Sequence, residues 1–172
     1  LVGAREYYRK WGLVVMTNLI PVSDIENLKG AYRDVLREIL PSSIDINSCK
    51  ESNGFDQGFI ELVQDNDTFR SRFYDIMRHH VSAYKVGLNP NLIKVVRAFG
   101  QQQTILDQLQ FRMEFPFDDR FLWHVHQDVL GTKSRNFLSS STYLTDVSDE
   151  MGPVEMSPGS HRLGYLGRHP DR

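Results

Sequence analysis

The 172-residue chain is 40% apolar and 24% charged, the composition of an ordinary globular protein with enough length to bury one core. Twenty Lys and Arg against 22 Asp and Glu leave a formal charge of -2, so the bulk electrostatics offer nothing to nucleic acid or an anionic membrane and point instead to a small-molecule partner. The single cysteine, Cys49, excludes an intramolecular disulfide and a multi-cysteine zinc site; with no apolar run of membrane-spanning length, the expected compartment is the cytoplasm. The chain begins at Leu1 without a secretory-type leader and stops at "GRHPDR" without a closing element, so both ends are expected to be cropped.

Residues 12–20, "GLVVMTNLI", are β-branched and apolar and are expected to form a short strand. A helix should follow, with Ser23 and Glu26 at capping-box spacing and an apolar stripe of Ile25, Leu28, Tyr32, Val35, Leu36 and Ile39 or Leu40 that Pro41 ends. The polar stretch 41–58, with Asn53-Gly54, reads as a surface loop. Next, Phe69, Phe73, Ile76, Met77, His80, Val81 and Tyr84 recur at helical spacing up to Gly87. His79 and His80 lie in this run; adjacent helical residues do not face one ligand, so both are expected at the surface or in helix packing. "NPNLIKVVRAFG" supplies a further short helix, with Pro90 near its start and Gly100 just past its end.

After Gln103 the period changes from helical to two. In "QLQFRMEFP", Leu109, Phe111, Met113 and Phe115 alternate with Gln108, Gln110, Arg112 and Glu114, giving a strand with one apolar and one polar face. The polar face would either meet water or line a site. "FLSSSTYLTDV", residues 137–147, is another strand candidate, and "DEMGPVEMSPGSHR" combines turn residues with a short extended piece at 153–156. Helices first and strands second imply an α+β arrangement in one domain over 1–172: a mainly helical buttress with an opening strand over 1–103, then a sheet over 104–172.

The chemistry concentrates in "FLWHVHQD", where His124, His126 and Asp128 share one face if the segment is a strand. Same-face neighbours are about 7 Å apart at Cα, so an adjacent pair can converge on one ion while the first and third residues rarely can. Two pairs remain open. His124 with His126 would make a two-imidazole site of the cupin kind, and His126 with Asp128 would supply two thirds of the 2-His-1-carboxylate triad that leaves open positions on Fe(II). The bland alternative keeps both histidines as ordinary strand residues, with Asp128 capping a turn.

The surrounding pieces resemble a family. Trp123, His126-Gln127-Asp128, Leu144-Thr145-Asp146-Val147, Asp149-Glu150-Met151-Gly152-Pro153 and Pro158-Gly159-Ser160-His161 have the order and spacing of the phytanoyl-CoA dioxygenase family of Fe(II)- and 2-oxoglutarate-dependent oxygenases. More loosely, "YYRKWGLVVMTNLIPVSDIENLKGAY" resembles the family's opening segment and "LQFRMEFP" the strand before the metal motif. The resemblance implies a double-stranded β-helix, a cupin-like jelly roll with N-terminal helices packed on one sheet. It also implies that the polar face of "QLQFRMEFP" borders the cofactor cavity, and that His126 and Asp128 ligate Fe(II) while 2-oxoglutarate and O2 take adjacent positions. Related halogenases replace the carboxylate by a small residue, so Asp128 implies hydroxylation of an unactivated C–H bond, with release of succinate and CO2.

By the same resemblance Gln110 and Arg112 are candidates for cofactor or substrate contact, Arg112 through a bidentate carboxylate pair or else an ion pair with Glu114 or Asp128. Ser141 and Thr142 lie where the next strand passes 2-oxoglutarate, and only one of the two can face inward. His161 falls in a turn rather than on the metal. The family's second histidine and its 2-oxoglutarate-clamping arginine lie on a later strand, so they are expected beyond residue 172, and the jelly roll is expected to be incomplete at the C-terminus. Family substrates range from acyl-CoA thioesters to amino acids and ectoine-like solutes, and no basic cluster suited to CoA is evident. Two other functions compete: a cupin-type enzyme that uses His124 and His126 without 2-oxoglutarate, and a jelly-roll binding domain without catalysis.

Overall fold

The computed structural model describes residues 1–39, 66–100, 106, 108–112 and 138–164. The expected loop at 41–58, the second half of "QLQFRMEFP", the whole of "FLWHVHQD" and His169 lie outside the described residues. Five helices carry the described fold: α1 Val2–Trp11, α2 Val22–Ile39, α3 Asp67–His79, α4 Val81–Gly87 and α5 Pro90–Ala98. Two single turns of 3-10 helix follow, at Asp149–Met151 and Ser160–Arg162.

α2 confirms the apolar stripe. Leu28, Tyr32 and Leu36 are buried, with Ile25, Val35 and Ile39 packed around them. The helix begins at Val22, and the Pro21 carbonyl accepts from the N–H groups of Asp24 and Ile25, so Ser23 lies inside the first turn rather than capping it. Against this stripe α3 sets Phe73 and Met77, and α4 sets Ala83 and Val86. Tyr32 and Phe73 meet edge to face with centroids 4.8 Å apart, and Phe111 adds a second edge contact to Phe73 at 5.9 Å. Such pairs add about 0.5–1.5 kcal/mol each beyond the burial of the rings themselves.

The run expected as one helix up to Gly87 is two. His80 leaves helical geometry at φ -71 and ψ 140, and its Nδ1 accepts from the N–H of Ser82, capping α4. A histidine that bonds the backbone locally offers the chain an alternative to the helical ladder, which explains the break. The break also turns Val81 and Tyr84 outward, so they leave the stripe that periodicity drew for them. His79 is exposed on the last turn of α3, as expected.

α5 matches its sequence signals, with Pro90 in its first turn and Asn89 as its cap. Asn89 is 5% exposed; its Oδ1 accepts from the N–H of Asn91 at 3.0 Å, while its Nδ2 donates to Asp24 Oδ2 at 3.1 Å, tying the start of α5 to the start of α2. Asn91 Nδ2 donates to the Leu19 carbonyl at 3.0 Å and holds the α1–α2 connection.

Two features differ from expectation at the N-terminus. The first eleven residues contain a helix that the sequence reading did not propose, and residues 12–20 are irregular rather than a strand. β-Branched composition favours a pleated surface only where a partner strand completes the ladder, and among the described residues none pairs with 12–20. α1 attaches through Tyr8, which stacks on Phe99 at 4.6 Å with the rings 6° from parallel. Burial raises the Tyr8 phenol above its ordinary pKa.

Candidate functional site

Residues 108–112 belong to no helix or sheet, yet their burial alternates as the period-two pattern requires. Leu109 and Phe111 pack on the helical core, whereas Gln108, Gln110 and Arg112 are exposed on the other side. The three polar side chains are bonded to one another at i, i+2 spacing. Arg112 donates from Nε and Nη2 to Gln110 Oε1 at 3.3 and 3.1 Å, and Gln110 Nε2 donates to Gln108 Oε1 at 3.2 Å. An extended backbone puts such residues on one face, so this hydrogen-bonded row is what the alternation builds locally.

The later segment carries Ser141 and Thr142, both exposed in irregular backbone over 138–143. The strand expected at 137–147 is not formed among its described residues. Leu144 is the point at which it packs against the helical core. The acidic turn forms as expected: Asp149–Met151 is one 3-10 turn, Gly152 closes it at φ 66, and Ser148 Oγ donates to Glu150 Oε2 at 2.9 Å. Only a residue without a Cβ adopts that left-handed conformation cheaply.

The Pro-Gly-Ser-His turn docks on the C-terminal end of α1. Gly159 donates its N–H to the Trp11 carbonyl at 2.7 Å, and His161 Nε2 lies 3.3 Å from the Arg9 carbonyl. A carbonyl oxygen only accepts, so Nε2 carries the proton of this contact. Gly12 caps α1 at φ 76 with its Cα facing the imidazole, and a methyl group placed there would overlap the His161 ring. The unpaired carbonyls at a helix C-terminus attract donors and positive charge, which accounts for a histidine at this place. His161 is therefore bound to the backbone of α1, in agreement with its expected place in a turn. The sequence reading missed α1 and hence this contact; the signal available was Gly12 directly after the basic last turn containing Arg9 and Lys10.

Among the described residues no three His, Cys, Asp or Glu side chains come together as a metal site. His124, His126 and Asp128 lie outside the described residues. Among the described residues no helix is long and apolar enough to cross a membrane.

Comparison with known proteins supplies the class. A family model matches residues 8–170, from the last turns of α1 through the Pro-Gly-Ser-His turn, and it is a model of non-haem Fe(II)- and 2-oxoglutarate-dependent oxygenases. The chain belongs to the phytanoyl-CoA dioxygenase (PhyH) family. No curated protein and no solved structure matches it.

Proposed function

We propose that the protein hydroxylates an unactivated C–H bond of a small metabolite, consuming O2 and 2-oxoglutarate and releasing succinate and CO2. The observation that carries this reading is the family match over residues 8–170, which contains His126-Gln127-Asp128 in the order and spacing that the oxygenases use.

His126 and Asp128 are the proposed metal ligands. A neutral imidazole and an ionised carboxylate are a donor set that suits Fe(II), and two protein ligands from one strand leave adjacent coordination positions open. Fe(II) with bound 2-oxoglutarate supplies, when present, the oxidising power for attack on carbon. The chain's own residues bind and orient. Gln110 and Arg112 are proposed to border the cofactor and substrate, supported by their place on a polar row turned away from the helical core. Ser141 and Thr142 are proposed as further cofactor contacts, supported by their exposure just before the Leu-Thr-Asp-Val stretch and by hydroxyls that can hydrogen-bond a carboxylate. His161 is not offered as the third ligand, because its Nε2 is engaged with the Arg9 carbonyl.

Anaerobic addition of Fe(II) and 2-oxoglutarate to the protein should produce the weak visible charge-transfer band of the chelate. The band should be lost in His126→Ala and Asp128→Ala and kept in His124→Ala. A band that survives Asp128→Ala but not His124→Ala would replace this reading with the two-imidazole cupin site.

A further inference from the structure

α3 carries a second strip besides its core stripe. Ser71, Tyr74, Asp75 and Arg78 recur at i, i+3, i+4 and i+7, which places them along one side of the helix. That side faces the polar row of 108–112 across an open groove of about 200 Å³, with Phe111 between the two walls. Arg78 and Arg112 thus border the same small space from different elements.

The hydrogen bonding inside the groove decides what it can accept. On one wall Gln110 Oε1 takes two N–H groups of Arg112, and Gln108 Oε1 takes one from Gln110. Gln110 Oε1 is thereby filled by two donors, and the donors left to a ligand include the second N–H of Gln110, the Gln108 amide N–H pair and the remaining guanidinium N–H groups of Arg112. On the other wall Arg78 Nη2 holds Asp75 Oδ1 at 2.8 Å, which neutralises that carboxylate. Arg78 Nε is buried and has no hydrogen-bond partner among the described residues. The Arg78 side chain as a whole is 38% exposed, so its guanidinium is open to an acceptor, water or ligand, entering the groove. Two guanidinium groups against one paired carboxylate also repel a cation and attract an anion.

We propose that this groove binds the acidic group, carboxylate or phosphate, of a small anionic substrate, through Arg78, Arg112 and the amide of Gln108. The groove is smaller than the roughly 300–1,000 Å³ that encloses a whole drug-sized ligand, so it holds the acid and a few atoms next to it while the reacting carbon lies outside. The assignment rests on the proposed oxygenase activity for the word substrate; the anion site itself rests on the geometry above.

The test uses the full chain without iron, titrated with propionate and, separately, with inorganic phosphate, while the Nε–H resonances of Arg78 and Arg112 are followed by NMR. Saturable shifts of both resonances at millimolar probe are expected. Arg78→Gln and Arg112→Gln should each weaken binding about tenfold or more, the loss of one charge-assisted hydrogen bond, and Lys94→Gln should not. The tighter of the two probes identifies the acid. Absence of saturable shifts in the wild-type chain overturns the proposal, whatever the variants do. Displacement of the probe by 2-oxoglutarate also overturns it, because the groove would then belong to the cosubstrate. The charge-transfer band, read on a second portion of the same protein after anaerobic addition of Fe(II) and 2-oxoglutarate, separates the two readings. A band without anion binding sinks the groove alone, and anion binding without a band sinks the oxygenase reading and with it the substrate assignment.

Discussion

The helices and the segment 138–164 are held in place by different means. α2, α3 and α4 close their backbone hydrogen bonds within each helix, and need neighbours only to bury a stripe; their core residues Tyr32, Leu36, Phe73 and Met77 are at most 1% exposed. The 138–164 segment has no regular element longer than a single 3-10 turn. It is fixed by Leu144 on the core and by Gly159 and His161 on the end of α1. A region of the first kind is anchored by many interchangeable contacts, whereas one of the second kind depends on a few specific ones. Of the proposed site residues, Ser141 and Thr142 fall in the second kind.

That contrast can be broken from either side. The largest effect on activity is expected from His126→Ala and Asp128→Ala, which should abolish succinate formation from 2-oxoglutarate while leaving the urea midpoint of the helical core unchanged. Of the core residues, Phe73→Ala should cost about 3–5 kcal/mol, because the ring contacts Tyr32 and Phe111 at once, and denaturant unfolding monitored by circular dichroism would measure it. A loss below 1 kcal/mol would show that the helical core is not the cooperative unit it resembles.

A sharper probe of the second region is Gly12→Ala. It combines a left-handed backbone with overlap of the His161 ring and should cost about 2–3 kcal/mol. His161→Ala removes only one exposed hydrogen bond and should cost about 1 kcal/mol or less. If the turn depends on α1, Gly12→Ala should in addition expose residues near Gly159 to limited proteolysis, and His161→Ala in the Gly12→Ala background should restore part of the lost stability. The smallest effect concerns Tyr8. Its folded-state pKa is raised by burial, so the neutral phenol is favoured in the folded chain: the contribution is intact below the ordinary value of 10.0 and is lost as pH rises through the folded value. Tyr8→Phe should therefore flatten the alkaline fall of the melting temperature above about pH 10, measured by differential scanning calorimetry.

Helix positions were legible wherever a stripe with period 3.6 met a stop signal. Leu28, Tyr32 and Leu36 before Pro41, and Pro90 with Gly100 around α5, are of this kind. His80 was not legible as a break, because at helical spacing it looks like one more member of the Phe73 and Met77 stripe; only its local bond to Ser82 N–H shows that it caps the next helix. α1 was missed for the opposite reason. "VGAREYYRKW" is polar for most of its length and has no buried residue, so no apolar stripe announces it. The alternation in "QLQFR" correctly assigned which side chains meet the core. The expected strand at 12–20 failed because composition alone cannot supply a pairing partner.

The sequence by itself determined the helical stripes and the faces of 108–112, since each depends on residue type and spacing along one short segment; spacing left the pairs His124 with His126 and His126 with Asp128 both open, and the family resemblance selected the second. Tertiary structure decided what spacing cannot encode. It placed His161 on the backbone of α1 across 152 residues of chain, and it brought Arg78 and Arg112 to opposite walls of one groove. Contacts of that range arise from how separate elements pack, and no local period along the chain carries them.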